Sequence, residues 1–313
     1  MTPSYLGRLV LLSSASFFLV QIIVGALIAL IAPTAVRRAG TMRPQRAARF
    51  LLTLRLLPAA FSLIVVAVLC VPSYLRFEPR VAEEEVGLAC LAAALFGTLL
   101  CAASISRTLR ALLRSSLYVR QCAGRESFVG GERVWIVKQS AGLALAGILN
   151  PRLLISEAAM RELSSDQLAI SLRHERAHRA SRDNLKRLLM LLAPSIFPGL
   201  RLLDQAWAKF AEWAADDHAT AGDENHAAAL AAALVSIARL QAGVRMPPLV
   251  VSLLDADEDL SQRVDRLLDA APIPESKTPA GRIAFIAAAL ILSVSINPSS
   301  LRLVHSLLER LLD

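Results

Sequence analysis

The stretch LVLLSSASFFLVQIIVGALIALIA, residues 9–32, contains no charged residue. As a helix, its 24 positions would be about 36 Å long, enough to cross the hydrocarbon core of a bilayer. A cleaved signal peptide is the alternative, but its apolar core is normally only about 7–15 residues long. We therefore predict a retained membrane-spanning helix near the start of the chain.

Three further uncharged runs follow, at residues 56–75, 86–105 and 283–301. The first two are long enough to cross a membrane and predict a second and a third span. The last predicts a fourth span, although Asn297-Pro298 near its end weakens that prediction. After it, apolar residues recur on one helical face, which predicts an amphipathic helix on the membrane surface. Apolar residues make up 55% of the chain, in keeping with a membrane protein.

Basic residues are distributed unevenly around these runs, which predicts the orientation in the membrane. Residues 33–50 carry five arginines and no acid, whereas residues 76–85 carry two arginines and four glutamates. Arginines are again frequent after residue 105. The positive-inside rule therefore places the first loop and the region after the third span in the cytoplasm of a cell with a plasma or inner membrane.

The composition argues against two other kinds of protein. The net charge of +8 comes mostly from arginines beside the apolar runs, so we do not expect direct binding to nucleic acid. The cysteines form no Cys-x-x-Cys pair, so neither a disulfide framework nor a cysteine-ligated zinc site is expected. They are Cys70, Cys90, Cys101 and Cys122.

Between the third and fourth spans the composition becomes that of a soluble domain. We predict three regions: a three-helix membrane region at 1–114, a soluble domain at 115–279, and a fourth span with the amphipathic helix at 280–313. Residues 133–138, 142–149 and 152–156 are candidate strands, and Ser164 to Gln167 predict a helix start. Residues 188–200 are uncharged but short and contain two prolines, so we predict a core or membrane-surface hairpin.

The soluble domain contains the motif His174-Glu175-Arg176-Ala177-His178. On a helix, His174 and His178 stand one turn apart on the same face, where two imidazoles can bind one zinc ion. Glu175 projects beside them and can take a proton from a water at the metal. The alternative is a pair of surface histidines on an exposed helix.

Catalytic zinc needs a third protein ligand, and the segment around residue 212 offers one. Glu212 lies 34 residues beyond His178, and Asp216 follows four residues later on the same helical face. Asp216 is placed to accept a hydrogen bond from a ligand histidine. Asp217 could take that role instead, but it points about 100° away.

Together these residues resemble the BlaR/MecR-type membrane metallopeptidases, a group of gluzincins. The similarity covers the histidine motif, Arg182 to Leu185, the Glu212-x-x-x-Asp216 pair and the strand segment 146–156. It implies that His174, His178 and Glu212 bind Zn²⁺, that Glu175 is the catalytic base, and that Asp183 and Asp216 support the site. It also implies an α-helical membrane protein carrying an α+β gluzincin-type peptidase domain.

Two features depart from that family. Members that sense β-lactams carry a large extracellular domain after the last span, whereas only about a dozen residues follow here, so β-lactam sensing is not expected. Position 176 is often apolar in such motifs. Arg176 lies about 200° from His174 around the helix, so the back of the helix should be partly wet or face a carboxylate.

Some roles remain open. His218 or His226 could stabilise the oxyanion, although solvent-facing positions are the simpler interpretation. The strand at 142–149 could be an edge that pairs with a peptide substrate or a purely structural strand.

Three functions are therefore considered. The first is regulatory cleavage of a cytoplasmic protein, such as a transcriptional repressor, and the second is an HtpX-like quality-control peptidase of membrane proteins. The third is a catalytically inactive receptor or scaffold, against which the intact Glu175 argues. The sequence does not determine the oligomeric state.

Overall fold

The computed structural model describes residues 4–78, 86–121, 124–138, 142–148, 151–241, 250–252 and 260–269, together with Arg302 and Ser306. The predicted fourth span at 283–301 and nearly all of the predicted C-terminal amphipathic helix lie outside the described residues, as does Cys122. The described part is mostly helical and carries one small sheet.

Three long helical segments are apolar enough to cross a membrane. They are α1 (Tyr5–Ala39), the segment formed by α2 (Pro44–Val65), a π-helical turn and α3 (Val71–Phe77), and α4 (Leu88–Gln121). Since α1 has 35 residues, it is about 52 Å long and exceeds the bilayer core. The three spans predicted in the first 114 residues therefore coincide with helices that continue beyond the apolar runs.

Pro58 lies inside a helix. The second apolar run begins at residue 56, but α2 begins twelve residues earlier, at Pro44. The apolar run marks the membrane portion of the helix, whereas the preceding turns are amphipathic and pack on other helices.

Small residues allow α1 and α4 to pack closely. A Cβ atom on Gly97 would lie 2.5 Å from the carbonyl oxygen of Ser14, so only glycine fits there. The Ser14 hydroxyl donates to the carbonyl of Ala94 at 3.0 Å. Close backbone approach at small residues, with hydroxyls bonding across helices, is how helices associate in membranes without a hydrophobic driving force.

The sheet has the order β1-β2-β4-β3-β5. Its strands are β1 (Arg125–Val129), β2 (Glu132–Val137), β3 (Leu143–Ala146), β4 (Arg152–Ser156) and β5 (Val250–Ser252). Strands β2 and β4 are parallel, and the other neighbouring pairs are antiparallel. The three predicted strands correspond to β2, β3 and β4.

The sequence prediction missed β1 and β5. The signal for β1 was Gly130-Gly131, a two-residue connection whose positive φ angles of 56° and 77° suit a tight hairpin. Strand β3 lies between β4 and β5, so it is an interior strand. The suggestion that it forms a substrate-binding edge is therefore wrong, because its hydrogen-bonding groups are shared with both neighbours.

Six helices complete the described domain. They are α5 (Glu157–Glu162), α6 (Ser165–Ser181), α7 (Asp183–Leu192), α8 (Pro198–Thr220), α9 (Glu224–Gln241) and α10 (Leu260–Leu268). The predicted start of α6 is confirmed, because Ser164 and Gln167 form a reciprocal capping box. One face of the sheet packs on α6 and α9 to form the core of the domain.

The segment at 188–200 forms a helical hairpin, as predicted. Helix α7 ends at Leu192, and α8 begins at Pro198 after a short loop. Helix α8 then packs along both α1 and α2 in a second apolar core, which includes Trp207 and Phe210. Helix α8 therefore joins the membrane helices to the domain that contains the histidine motif.

Candidate metal centre

Helix α6 carries the histidine motif on its buried side. The side chains of His174 and Glu175 are fully buried, and that of His178 is 1% exposed. The alternative of two surface histidines is therefore wrong, since α6 turns this face toward α8. Helical periodicity places the two imidazoles beside each other with their ring planes at 76°, and their Nε2 atoms lie 3.0 Å apart.

A sharp turn after α6 brings a carboxylate back to His178. Arg182 ends the helix in the left-handed conformation with φ 55°, and α7 begins at the next residue. Asp183 in the first turn of α7 accepts a hydrogen bond from Nδ1 of His178 at 2.7 Å. The side chain of Asn184 donates to the carbonyls of Leu145 and Gly147, which fixes α7 on the end of β3.

Helix α8 supplies the third candidate ligand. Oε2 of Glu212 lies 3.4 Å from Nε2 of His174 and 3.5 Å from Nε2 of His178. One turn later, Oδ1 of Asp216 lies 3.0 Å from Nδ1 of His174, at hydrogen-bonding distance but poorly aligned. The tertiary structure thus brings His174, Asp183, Glu212 and Asp216 together with His178, and the sequence analysis had named all of them.

The spacing of the three candidate ligand atoms fits one metal ion. Their separations are 3.0, 3.4 and 3.5 Å. Ligand atoms bonded at 2.0–2.1 Å to a tetrahedral ion would lie about 3.3 Å apart. With both Nδ1 atoms facing carboxylates, the two Nε2 atoms turn lone pairs toward Glu212. His174, His178 and Glu212 could therefore hold a metal ion.

Arg263 of α10 is a member of the site that the sequence analysis missed. Its guanidinium donates to both carboxylate oxygens of Asp216, at 2.9 and 2.7 Å, and lies 3.3 Å from Oε2 of Glu212. The side chain is only 2% exposed. A signal was present, because Arg263 occupies an apolar-face position of α10 together with Leu260, Val264 and Leu267.

Glu175 differs from the other acids of the site in its ionic partners. Both carboxylate oxygens of Glu175 and of Glu212 are buried and make no hydrogen bond with the residues that the structure describes. Glu212, however, lies 3.3 Å from the guanidinium of Arg263, whereas Glu175 forms no ion pair with the described residues. Burial raises the pKa of Glu175 to about 7, although the positive charges of His174 and His178 oppose that shift. A carboxylate in this environment has a strong affinity for a proton and is suited to accept one near neutral pH.

The other acids are held in their ionised forms. Burial opposes ionisation of Asp216, but the charges of Arg263 and of the nearby His174 imidazole lower its pKa to about 2. Burial likewise opposes ionisation of Glu212, yet His178 and Arg263 hold its pKa well below the ordinary value. The site is thus a cluster of fixed negative charges around two imidazoles, which favours a bound cation.

The back of α6 agrees with the expectation for Arg176. Its Nε lies 3.0 Å from Glu132 of β2, and its side chain is 37% exposed. Arg179, one turn later, also contacts Glu132 at 3.1 Å. Arg176 therefore faces a carboxylate and solvent, on the side of α6 away from His174 and His178, as predicted.

The structure places the two candidate oxyanion residues at the surface. His218 is exposed near the end of α8, six residues after Glu212 and about 120° away around the helix. His226 lies in the first turn of α9, where its backbone N–H bonds to Asp223. Neither joins the described metal group, and an oxyanion role for either stays a prediction. Asp217 is exposed and pairs with Arg266.

Comparisons of this chain with protein-family models, with curated proteins and with solved structures give no match. The resemblance to BlaR/MecR-type peptidases and the gluzincin assignment therefore stay predictions from the motifs.

Proposed function

We propose that this protein is a membrane-bound, zinc-dependent endopeptidase. In this proposal His174, His178 and Glu212 bind the metal, and Glu175 is the general base. The observation that carries it is the unpartnered, fully buried carboxylate of Glu175 beside three converging ligand atoms. A structural metal site would need no such acid, since burying a carboxylate without a partner costs several kcal/mol.

The chemical nature of the ligands supports zinc. Two imidazole nitrogens and one carboxylate oxygen, with a fourth position left for water, are a ligand set typical of catalytic zinc in peptidases. The carboxylates of Asp183 and Asp216 orient the two imidazoles through their Nδ1 atoms. Such partners fix the tautomer and raise the basicity of the ligand nitrogen.

The proposed reaction is hydrolysis of a peptide bond. When bound, zinc would polarise the scissile carbonyl and lower the pKa of the attacking water. Glu175 accepts a proton from that water as the C–O bond forms, and delivers it to the leaving amine as the C–N bond breaks. The raised pKa of Glu175 suits it to both proton transfers near neutral pH.

Substitution of Glu175 tests the proposal. In the purified full-length protein, Glu175→Gln should keep the metal and lose proteolysis. His174→Ala and Glu212→Ala should lose both, because two ligands bind zinc weakly. Full activity of Glu175→Gln would refute the assignment, as would wild-type protein that binds zinc without cleaving any peptide in a broad peptide library. The last outcome would favour the inactive receptor or scaffold.

The substrate class follows from the resemblance and is part of the proposal. Regulatory cleavage of a cytoplasmic protein, such as a transcriptional repressor, would suit a domain on the cytoplasmic side of a multi-pass protein. The three long apolar helices and the arginines around them support that location. Trapping substrates with Glu175→Gln and identifying them distinguishes this activity from HtpX-like quality control.

A further inference from the structure

The turn between α7 and α8 packs against the middle of the first apolar span. A Cβ atom on Gly199 would lie 2.5 Å from the carbonyl oxygen of Ala29, and one on Gly25 would lie 3.2 Å from the ring of Phe197. Gly25 lies seven residues before the end of the uncharged run at residue 32, a distance of about 10 Å along the helix. The turn therefore lies at the depth of the predicted hydrocarbon core.

Two polar side chains bond to the backbone at this turn. Arg55 is 2% exposed, and its Nη2 atom donates to the carbonyls of Met190 and Ala193, at 2.9 and 3.1 Å. Gln21, also 2% exposed, donates to the carbonyl of Pro194 at 3.5 Å. Carbonyls at a helix end have no intrahelical donor, and in hydrocarbon each unsatisfied one costs several kcal/mol.

The outer side of the turn is apolar, and the residues that the structure describes leave it exposed. Leu189, Leu192 and Ile196 are 41%, 45% and 42% exposed. Arg201 is the charged residue of α8 nearest to the turn, and it is exposed. It lies two residues after Gly199, the residue that contacts Ala29. A long arginine side chain at that position can reach the headgroups while its stem lies on apolar surface.

We infer that the α7–α8 turn is a re-entrant hairpin that enters the cytoplasmic half of the bilayer, with lipid acyl chains covering Leu189, Leu192 and Ile196. The contacts with Gly25 and Ala29 set its depth, and Gln21 and Arg55 supply the donors that its backbone needs there. A loop at membrane depth is tolerated where protein satisfies its backbone, and these two residues supply donors to the carbonyls of Met190, Ala193 and Pro194.

The hairpin also sets the height of the metal centre. Helix α8 runs from Gly199, which lies beside Ala29, to Asp217. Asp217 interacts electrostatically with Arg43, which lies in the loop after α1. Glu212 is 13 residues beyond Gly199, about 20 Å along α8. The candidate metal centre therefore stands about 15 Å above the end of the apolar run. At this height the peptidase acts on peptide bonds close to the membrane, an inference that rests on the proposed function.

Depth measurements on the full chain in lipid nanodiscs test the hairpin independently of activity. A spin label is placed at Leu192→Cys or Ile196→Cys in a variant whose native cysteines are replaced by alanine. Leu27→Cys, on an exposed position of α1, is the membrane control, and Phe128→Cys, 71% exposed on β1, is the aqueous control. Collisions with oxygen and with a water-soluble nickel chelate report the depth of each label.

We expect the hairpin labels to behave as Leu27→Cys does, with high oxygen and low nickel accessibility. Nickel accessibility equal to that of Phe128→Cys would overturn the inference, as would protection from both reagents. In the unmodified chain, a lipid with a photoactivatable acyl chain should label residues 189–197 and spare β1. Absence of labelling at the hairpin, with labelling of α1 retained, would also overturn it. None of these outcomes depends on peptidase activity.

Discussion

The Nε2 atoms of His174 and His178 lie 3.0 Å apart, within hydrogen-bonding distance of each other. Each ring turns its other nitrogen toward a buried carboxylate. A metal ion bound by both Nε2 atoms would also meet the adjacent negative charge of Glu212.

Metal content should depend on the three candidate ligands. Wild-type protein should bind about one zinc ion per chain, and His174→Ala or Glu212→Ala should bind none after dialysis, as measured by elemental analysis. Zinc at about 100 times its dissociation constant should add roughly 2.7 kcal/mol of stability in the wild type. His218→Ala is the matched control, because His218 is exposed on α8. Equal metal content in all four proteins would contradict the assignment.

Glu175→Gln should stabilise the metal-free protein at alkaline pH. The folded pKa of Glu175 is about 7, above the ordinary value of 4.5, so the folded state holds a proton that the unfolded state releases. The contribution of Glu175 to stability is therefore fully present below pH 4.5, and roughly 3 kcal/mol is lost as the pH rises from there through 7.

Chemical denaturation of the chelator-treated protein, from pH 4 to pH 8.5, measures that difference. The two proteins should have equal stability at the acid end, and the glutamine variant should be more stable at the alkaline end. Glu162→Gln, at an exposed position of the same domain, serves as control. If the difference in unfolding free energy between the wild type and Glu175→Gln does not change with pH, the carboxylate of Glu175 is not held as described.

Removing Arg263 should weaken metal binding without removing a ligand. Arg263→Met breaks the two hydrogen bonds to Asp216 and the contact with Glu212, so both carboxylates lose their orientation. Loss of such a supporting contact typically costs 10–100-fold in metal affinity. Competition with a fluorescent chelator measures it. Arg266→Met, one turn away and paired with exposed Asp217, should change affinity little. Similar losses in both variants would instead indicate unfolding of α10.

Arg55 should be essential for the stability of the hairpin. Arg55→Ala leaves the carbonyls of Met190 and Ala193 without their donor, and Asp204, 2.7 Å from Nε, without its cation. Each buried carbonyl left without a donor costs about 1–3 kcal/mol, whereas Asp204 is 34% exposed and can be solvated. Thermal unfolding in nanodiscs measures the loss. Arg49→Ala, an exposed arginine of the same helix, is the control. Equal unfolding temperatures in the two variants would contradict this role.

The height of the metal centre limits where a membrane-anchored protein is cleaved. An extended chain rises about 3.4 Å per residue, so it needs about five residues to reach 15 Å above the bilayer core. A single-span test protein with an unstructured cytoplasmic segment should be cut from about the fifth residue outward, as mapped by mass spectrometry. The same segment without its anchor should be cut more slowly. Cuts inside the apolar span would contradict the geometry.

Local sequence determined much of this protein. The uncharged runs predicted three helices able to cross a membrane, because hydrophobic length is a property of one segment alone. The spacing of His174 and His178 predicted two imidazoles on one face, because helical periodicity fixes neighbours one turn apart. The capping box at Ser164 likewise acts within a few residues.

Contacts between distant segments were decided by tertiary structure. The sequence proposed Glu212 as a ligand, but only the packing of α8 on α6 brings its Oε2 atom within 3.4 Å of His174. The apolar-face position of Arg263 on α10 indicated burial, but its partner Asp216 lies 47 residues earlier, and the carbonyls bound by the hairpin donor Arg55 are also far away in sequence. Periodicity states which residues of a helix share a face, whereas their partner depends on how whole helices pack. That packing places the candidate metal centre and the hairpin that holds it near the membrane.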